Sequence, residues 1–571
     1  MRILAVISLL LTLSVTTVAQ DKPLPPPRDF KPETKEASDV LPALLLPEYV
    51  ITGSDLISFT EDRKDVLEGP DSRAFTARAG RGAREQRFMD TAPTRMPLRK
   101  PDLTGSKHVF LTRLGYGGFA TPHVHMLYGD RYRLGDAHAS LLYERSDGHV
   151  ARADYTRLQF AAGGGTYLPR TLTPILASSR LEGGIRADVH EYGLYADRLP
   201  RERPAPDFRR NAMNIEAQTG ILSRRNTVFD HELHLRIGHT AIDEEFSLLD
   251  TMQVDEYTAA ETRISLDGKA AFAYGSFPVH TSVFIHVNDL TERSESSTRP
   301  FHLGARGGTQ YRLSESTMLG GGLAFWLYRG SDHAAQFRVY PQLRLRHLLS
   351  DDWSLEVAYD PTVEEHTLAG LLEQNPYLML ATRIRQTDIP LRFEAAASYD
   401  NRATTAARIG VRWSSSSSWP RFSLLPDPVR QQWEVLYSGT TSITELTAEF
   451  SHAFSPRTHM QADAVIRMSD NDAVDGSVPY LPDHEWRVLL GHRFPFDLHV
   501  QSSLQLIGER EITGGGTLNG WLLLGLELEY RLLPNASLFL RFDNLLDQNY
   551  QEWDGYRARP FFTMGGIIIR L

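Results

Sequence analysis

In "PHVHMLY", His123 and His125 stand two residues apart, the first side chains in this 571-residue chain whose types and spacing could do chemistry. Residues i and i+2 of a β-strand point to one side, and two imidazoles on one side can share a divalent metal. With 20 histidines such pairs also arise by chance, and the linear order supplies no third ligand, so no metal and no cofactor are expected. Serine, histidine and aspartate are abundant, but a hydrolytic triad is made of spatial neighbours. No enzymatic activity is expected from their presence. Arg338, Arg344 and Arg346 share one side of "FRVYPQLRLR". Facing a water-filled space they would focus field and attract anions; pairing with carboxylates on adjacent strands is the plainer alternative.

Such side chains need elements to hold them, and the elements repeat. From about Lys107 onward, segments of roughly ten residues alternate between apolar and polar, the pattern of strands with two unlike faces. Phe337, Val339, Pro341, Leu343 and Leu345 lie opposite the three arginines. Leu522, Leu524, Leu526, Leu528 and Tyr530 lie opposite Glu527, Glu529 and Arg531, and Val279, Val283, Ile285 and Val287 lie opposite His280, Ser282, His286 and Asn288. The alternation continues to the end of the chain with no convincing helix. One face carries successive charges, as a barrel lumen tolerates. The fold expected is all-β: a transmembrane antiparallel β-barrel of about 20–22 strands over residues 106–571. Closure satisfies every backbone polar group within the bilayer. Tight connections such as "LSDDW", "SPRTH" and "LLPNAS" are expected at one end, and longer polar ones such as "GEREITGGGTLNG" at the other.

Composition narrows the class. "MRILAVISLLLTLSVTTVAQ" has a basic start, a short apolar core and small residues before Gln20, so residues 1–19 are expected to be an export signal. The chain has no cysteine, which excludes disulfides, thiolate metal sites and a lipidated cysteine. A net charge of -10 argues against nucleic-acid binding. Residues 20–105 are rich in proline, charge and small residues, and are expected to form an extended periplasmic arm.

Two stretches carry a family likeness. "LPEYVITGSD" holds an acidic residue, a β-prone run and a glycine; Glu48, Tyr49, Val50, Ile51, Thr52 and Gly53, within 46–53, resemble the energy-coupling box of TonB-dependent outer-membrane receptors. At the other end, Asn544, Leu545, Asp547, Tyr550, Gly555, Tyr556, Phe561 and Gly565 are similar to the last hairpin of that family. Two departures are the "RARP" that follows Tyr556 and the terminal Leu571 in place of an aromatic. The resemblance implies a bacterial outer-membrane location, uptake of a ligand, and a periplasmic energy-transducing protein that adds the box as a strand to its own sheet. Phe561, Ile567, Ile569 and Leu571 share one face of the final strand. They are expected to meet outer-membrane lipid and to form an insertion signal for the outer-membrane assembly machinery.

The family also has a folded plug between box and barrel. Residues 54–107 are too few for one, and "VLEGPDSRAF" echoes a plug motif at only a few positions. A plugless barrel is therefore expected. Its lumen would be closed by the arm, by a separate plug or accessory chain, or by inward loops and bulky side chains. The alternative function is a scaffold barrel that docks periplasmic or surface partners without transport.

Overall fold

In a computed structural model of the protein, the described residues run from 108 to 571, apart from 133, 170–175, 177–178, 197–206, 224–228, 248–253, 275–276, 293–295, 381–382, 426–430 and 475. The export signal, the arm and the box residues 48–53 lie outside them.

The wall has 22 strands. The first seven are β1 (His108–Gly117), β2 (Thr121–Tyr132), β3 (Gly135–Ser146), β4 (Tyr155–Tyr167), β5 (Arg180–Gly193), β6 (Asp207–Leu222) and β7 (Phe229–Ser247). Next come β8 (Val254–Tyr274), β9 (Phe277–Glu292), β10 (Phe301–Arg312), β11 (Thr317–Arg329), β12 (Gln336–Leu348), β13 (Trp353–Tyr359) and β14 (Thr387–Asp400). The wall is completed by β15 (Thr405–Ser417), β16 (Thr440–Ser455), β17 (Thr458–Asn471), β18 (His484–Arg493), β19 (Leu498–Ile507), β20 (Trp521–Leu533), β21 (Ala536–Asp543) and β22 (Phe562–Arg570).

Each strand pairs antiparallel with its chain neighbours, and β22 returns to β1, from Leu111 opposite Arg570 to Gly117 opposite Met564. No wall strand is left with an open edge, which is the condition for spanning hydrocarbon. The connections alternate in kind. Turns 456–457 and 534–535 lie at one end, whereas 360–386, 418–439 and 544–561 lie at the other. Short turns mark the periplasmic end of such barrels and long loops the outer end.

The expected faces are observed. Phe337, Val339, Leu343 and Leu345 are exposed on the outside of β12, and Ile237, Ile264 and Val287 continue that apolar band across β7, β8 and β9. The inward charges largely satisfy one another. Glu394, Arg412, Glu445 and Arg467 stand directly opposite in successive strands β14 to β17. They form pairs at 3.6, 3.2 and 3.0 Å, and Arg467 reaches on to Glu485 of β18. Arg338 and Arg344 take the plainer of their two alternatives, pairing with Asp388 at 2.7 Å and Glu356 at 3.3 Å. Charge distributed this way ties neighbouring strands instead of standing free in the lumen. Each such cross-strand pair contributes roughly 0.2–1 kcal/mol.

One expectation needs correction. The chain does contain a helix, α1 (Leu368–Gln374), in the 360–386 connection. Thr367 caps it, accepting from Gly370 N, while Leu368 and Leu371 bury one face. Seven residues in a long connection are too few to break a barrel-wide alternation, so the helix was hidden by its length.

Candidate functional site at the loop end

At the loop end, residues from seven connections meet inside the wall, Ala153 of the one between β3 and β4 among them. Tyr195, Tyr377, Trp433, Tyr480, Leu518, Trp553 and Tyr556 belong to one buried cluster that also takes in the inward wall residues Tyr192, Phe208, Ile242, Ala259 and Leu290. Trp433 and Tyr377 are 0% exposed, as closed off as any globular core. Ring centroids lie 4.7 Å apart for Tyr195 and Tyr556, 4.7 Å for Tyr480 and Trp553, and 5.2 Å for Trp433 and Trp553. Aromatic rings supply the largest apolar area per residue, and edge-to-face pairs add about 0.5–1.5 kcal/mol beyond burial.

Polar groups of the wall orient this cluster. Arg210 of β6 and Glu244 of β7 form a fully buried ion pair at 2.8 Å. The same guanidinium donates to the carbonyls of Pro376 and Leu378, while Glu244 accepts from Gln432 at 3.1 Å. Glu261 of β8 accepts from Leu368 N at 2.9 Å and Ala369 N at 3.4 Å, so a wall carboxylate meets the unsatisfied amides that begin α1. The 360–386 connection thus leaves β13 and is seated on β8 and β6, on the inner face of the wall. It then joins the 418–439 connection: Met379 N donates to Trp433 O at 2.8 Å, and Leu378 and Trp433 form a parallel bridge. Tyr556 Oη donates to Gln431 O at 3.1 Å, which ties in the last connection.

The last connection contains the family-like residues, and their types now have reasons. Asn544 has φ +47°; its side chain donates to Gln548 O and accepts from Gln548 N, both at 2.9 Å, closing a tight turn. Asp547 accepts from Phe561 N at 2.9 Å, at the entry to β22. Leu545 N donates to Leu524 O at 2.8 Å. Gly555 has φ +83°, and a Cβ there would collide with the Gln431 side chain, so only glycine suits this turn. Tyr550 stacks near Trp521, and Tyr556 enters the central cluster. Gly565 lies in β22, opposite Leu540 and Tyr116. Phe561, Ile567 and Leu571 are exposed on the outside, with Ile569 on the same side.

Charge within the loops is displaced by burial. Arg510 donates to the carbonyls of Gln551 and Glu552 at 2.6 and 2.7 Å, and its guanidinium lies 4.2 Å from the Trp521 ring centre. Desolvation brings it down to about 10. The same desolvation pushes the Glu552 carboxyl up to about 8, against the pull of Arg510.

His123 Nδ1 donates to the Glu144 carboxylate at 2.8 Å, and the Tyr155 hydroxyl donates to the same carboxylate. Its ring lies 6.5 Å from that of His125, and the pair belongs to no group of three metal-ligating side chains among the described residues. Tyr195, Arg210, Glu244, Glu261, Tyr377 and Trp433 escaped sequence reasoning. A usable signal existed: "QNPYLML", "QQWEVLY" and "QEWDGY" are aromatic-bearing stretches in connections that should be polar.

A scan against protein-family models returns no match, and a search of curated proteins returns none. Solved structures do resemble the chain. The FrpB iron transporter from Neisseria meningitidis (F5-1 variant) superposes with a TM-score of 0.63 at 9% identity, covering 82% of each chain. The copper transporter OprC gives 0.59 at 14% identity, covering 81% of this chain and 80% of its own. The ferric-catecholate import receptor Fiu from K12 E. coli gives 0.59 at 10% identity, covering 82% of each. By fold, this chain is a closed 22-strand antiparallel β-barrel of the architecture those three proteins share.

Proposed function

We propose that this chain is a plugless outer-membrane receptor that takes up a ligand through a lumen whose outer mouth is closed by its own loops. The observation that carries the reading is the aromatic cluster seated on Arg210 and Glu244. A wall of this size encloses a lumen that must be filled if it is not to leak, and seven inward connections supply filling at the outer end. Likeness in fold to two transporters and an import receptor supports transport as the use of that lumen. Glu48–Gly53 would then dock a periplasmic energy-transducing protein by strand addition. No catalysis is part of this reading.

The test is electrical. Full-length protein in a planar bilayer should stay silent, and a variant with 366–380 replaced by a glycine-serine linker should conduct. Equal current from both overturns closure by loops. Mild-detergent purification from the native membrane tests coupling: an energy transducer should co-purify with the full chain and be lost with Val50→Pro. If its recovery does not depend on that segment, or none is recovered, the scaffold reading takes its place.

A further inference from the structure

Below the aromatic cluster, the 360–386 connection makes a second contact with the wall. Glu365 sits beside His286 of β9 and His302 of β10, and one ligand atom from each lies within 4.8 Å of the others. We propose that His286, His302 and Glu365 bind one divalent transition-metal ion of the zinc, cobalt or nickel class, which ties this inward connection to the wall.

Three observations converge on it. First, His302 is 4% exposed, and neither of its ring nitrogens has a hydrogen-bond partner among the described residues. A buried imidazole is seldom left so, and its Nδ1 lies 4.0 Å from Glu365 Oε2. Second, the ring is held in place by packing: it stacks on Trp326 at 5.2 Å with an 11° tilt and meets Phe284 edge-on at 5.1 Å. Third, His286 presents Nδ1 to Glu365 at 2.6 Å and Nε2 to Asp267 at 3.0 Å. With a metal on Nδ1, the Nε2–H donated to Asp267 forms the carboxylate–histidine–metal relay that orients ligands in many metal sites.

Imidazole and carboxylate together suit zinc and its neighbours better than calcium or magnesium, which prefer all-oxygen shells. Bonds of about 2.0–2.1 Å require the three ligands to draw closer, and Glu365, on a loop, can move. Arg263 is the competitor: one guanidinium nitrogen lies 2.5 Å from Glu365 Oε2 and 3.1 Å from His286 Nδ1, so it must turn away before a metal enters. It has somewhere to turn: Glu261 and Asp267 lie on the same face of β8, and each keeps one oxygen with no hydrogen bond among the described residues, Arg236 standing 3.8 Å from that of Asp267. The proposal holds whether or not the barrel transports anything.

Full-length protein in detergent, stripped with a chelator, would be titrated with Co²⁺ and followed by its visible absorption, then competed with Zn²⁺. One equivalent should bind. His302→Gln and Glu365→Gln should each weaken binding by more than tenfold, and Asp267→Asn by roughly 10–100-fold, with heat-modifiable gel mobility confirming a folded barrel. Because the chain lacks cysteine, Leu372→Cys reports on the connection alone. Zn²⁺ should slow its maleimide labelling severalfold, and the added His302→Gln should erase the slowing. No binding by the unmodified site residues, or equal binding by the variants, overturns the site; binding without slowed labelling overturns the tie.

Discussion

Replacing Arg210 by methionine would leave the Glu244 carboxylate and the carbonyls of Pro376 and Leu378 without their donor, in a place closed to water. Breaking a buried pair from one side costs about 3–5 kcal/mol. The loss should appear as loosening of the loop cluster, since the wall's own hydrogen bonds are untouched. Single-channel recording should show openings in Arg210→Met, and the double variant with Glu244→Met should be quieter. Glu552 makes a second prediction at this scale. Its carboxyl is raised from 4.5 to about 8, so the folded loops favour the protonated form. Stability from this group is full below about 4.5 and is lost as pH rises towards 8. Thermal denaturation across that window should show the decline, and Glu552→Gln should flatten it. Legibility at this scale was mixed. Asn544, Asp547 and Gly555 could be picked out because a turn's backbone demands particular residue types. Arg210 could not, because its partners are 166 and 168 residues away in the chain.

Among the elements, α1 shows how a loop acquires a fixed place. Thr367 satisfies one amide of its first turn, and Glu261 on the wall satisfies others. Thr367→Ala should cost about 0.5–2 kcal/mol of helix stability, seen as faster hydrogen exchange at Gly370 and Leu371 with little change in the wall strands. The pattern was readable in "EHTLAGLLEQN", where a threonine cap precedes leucines at helical spacing. A seven-residue helix falls below the window in which periodicity speaks clearly. A two-residue period already shows over about 4–8 residues, which even the seven of β13 supply, and this is why the wall was legible and the loop was not. The serine run at 414–418 occupies the loop end of β15 and the residue after it, an element boundary.

For the molecule as a whole, strand number and the sidedness of the wall followed from a two-residue period repeated far beyond what one sandwich needs. Ile264 lies mid-strand on the outer face, opposite Ile237 and Val287. Ile264→Arg should destabilise the barrel by about 2–4 kcal/mol, the cost of arginine on the lipid face at mid-bilayer depth. Urea titration in lipid vesicles would measure it, with Gln218→Arg as a second site on the same sheet for comparison. What periodicity could not reveal was how the interior is occupied, because inward polar residues look alike whether they face water, one another or a returning loop. The answer came from contacts between distant segments.

The connections that reach into the mouth come mostly from the wall beyond β13, while Tyr192, Arg210, Glu244 and Glu261, which receive them, lie between β5 and β8. The fastening is therefore lopsided, gathered on the side of the wall formed by β5 to β8. Under the proposed uptake, opening would resemble a trapdoor released from its catch on that one side more than an iris widening evenly.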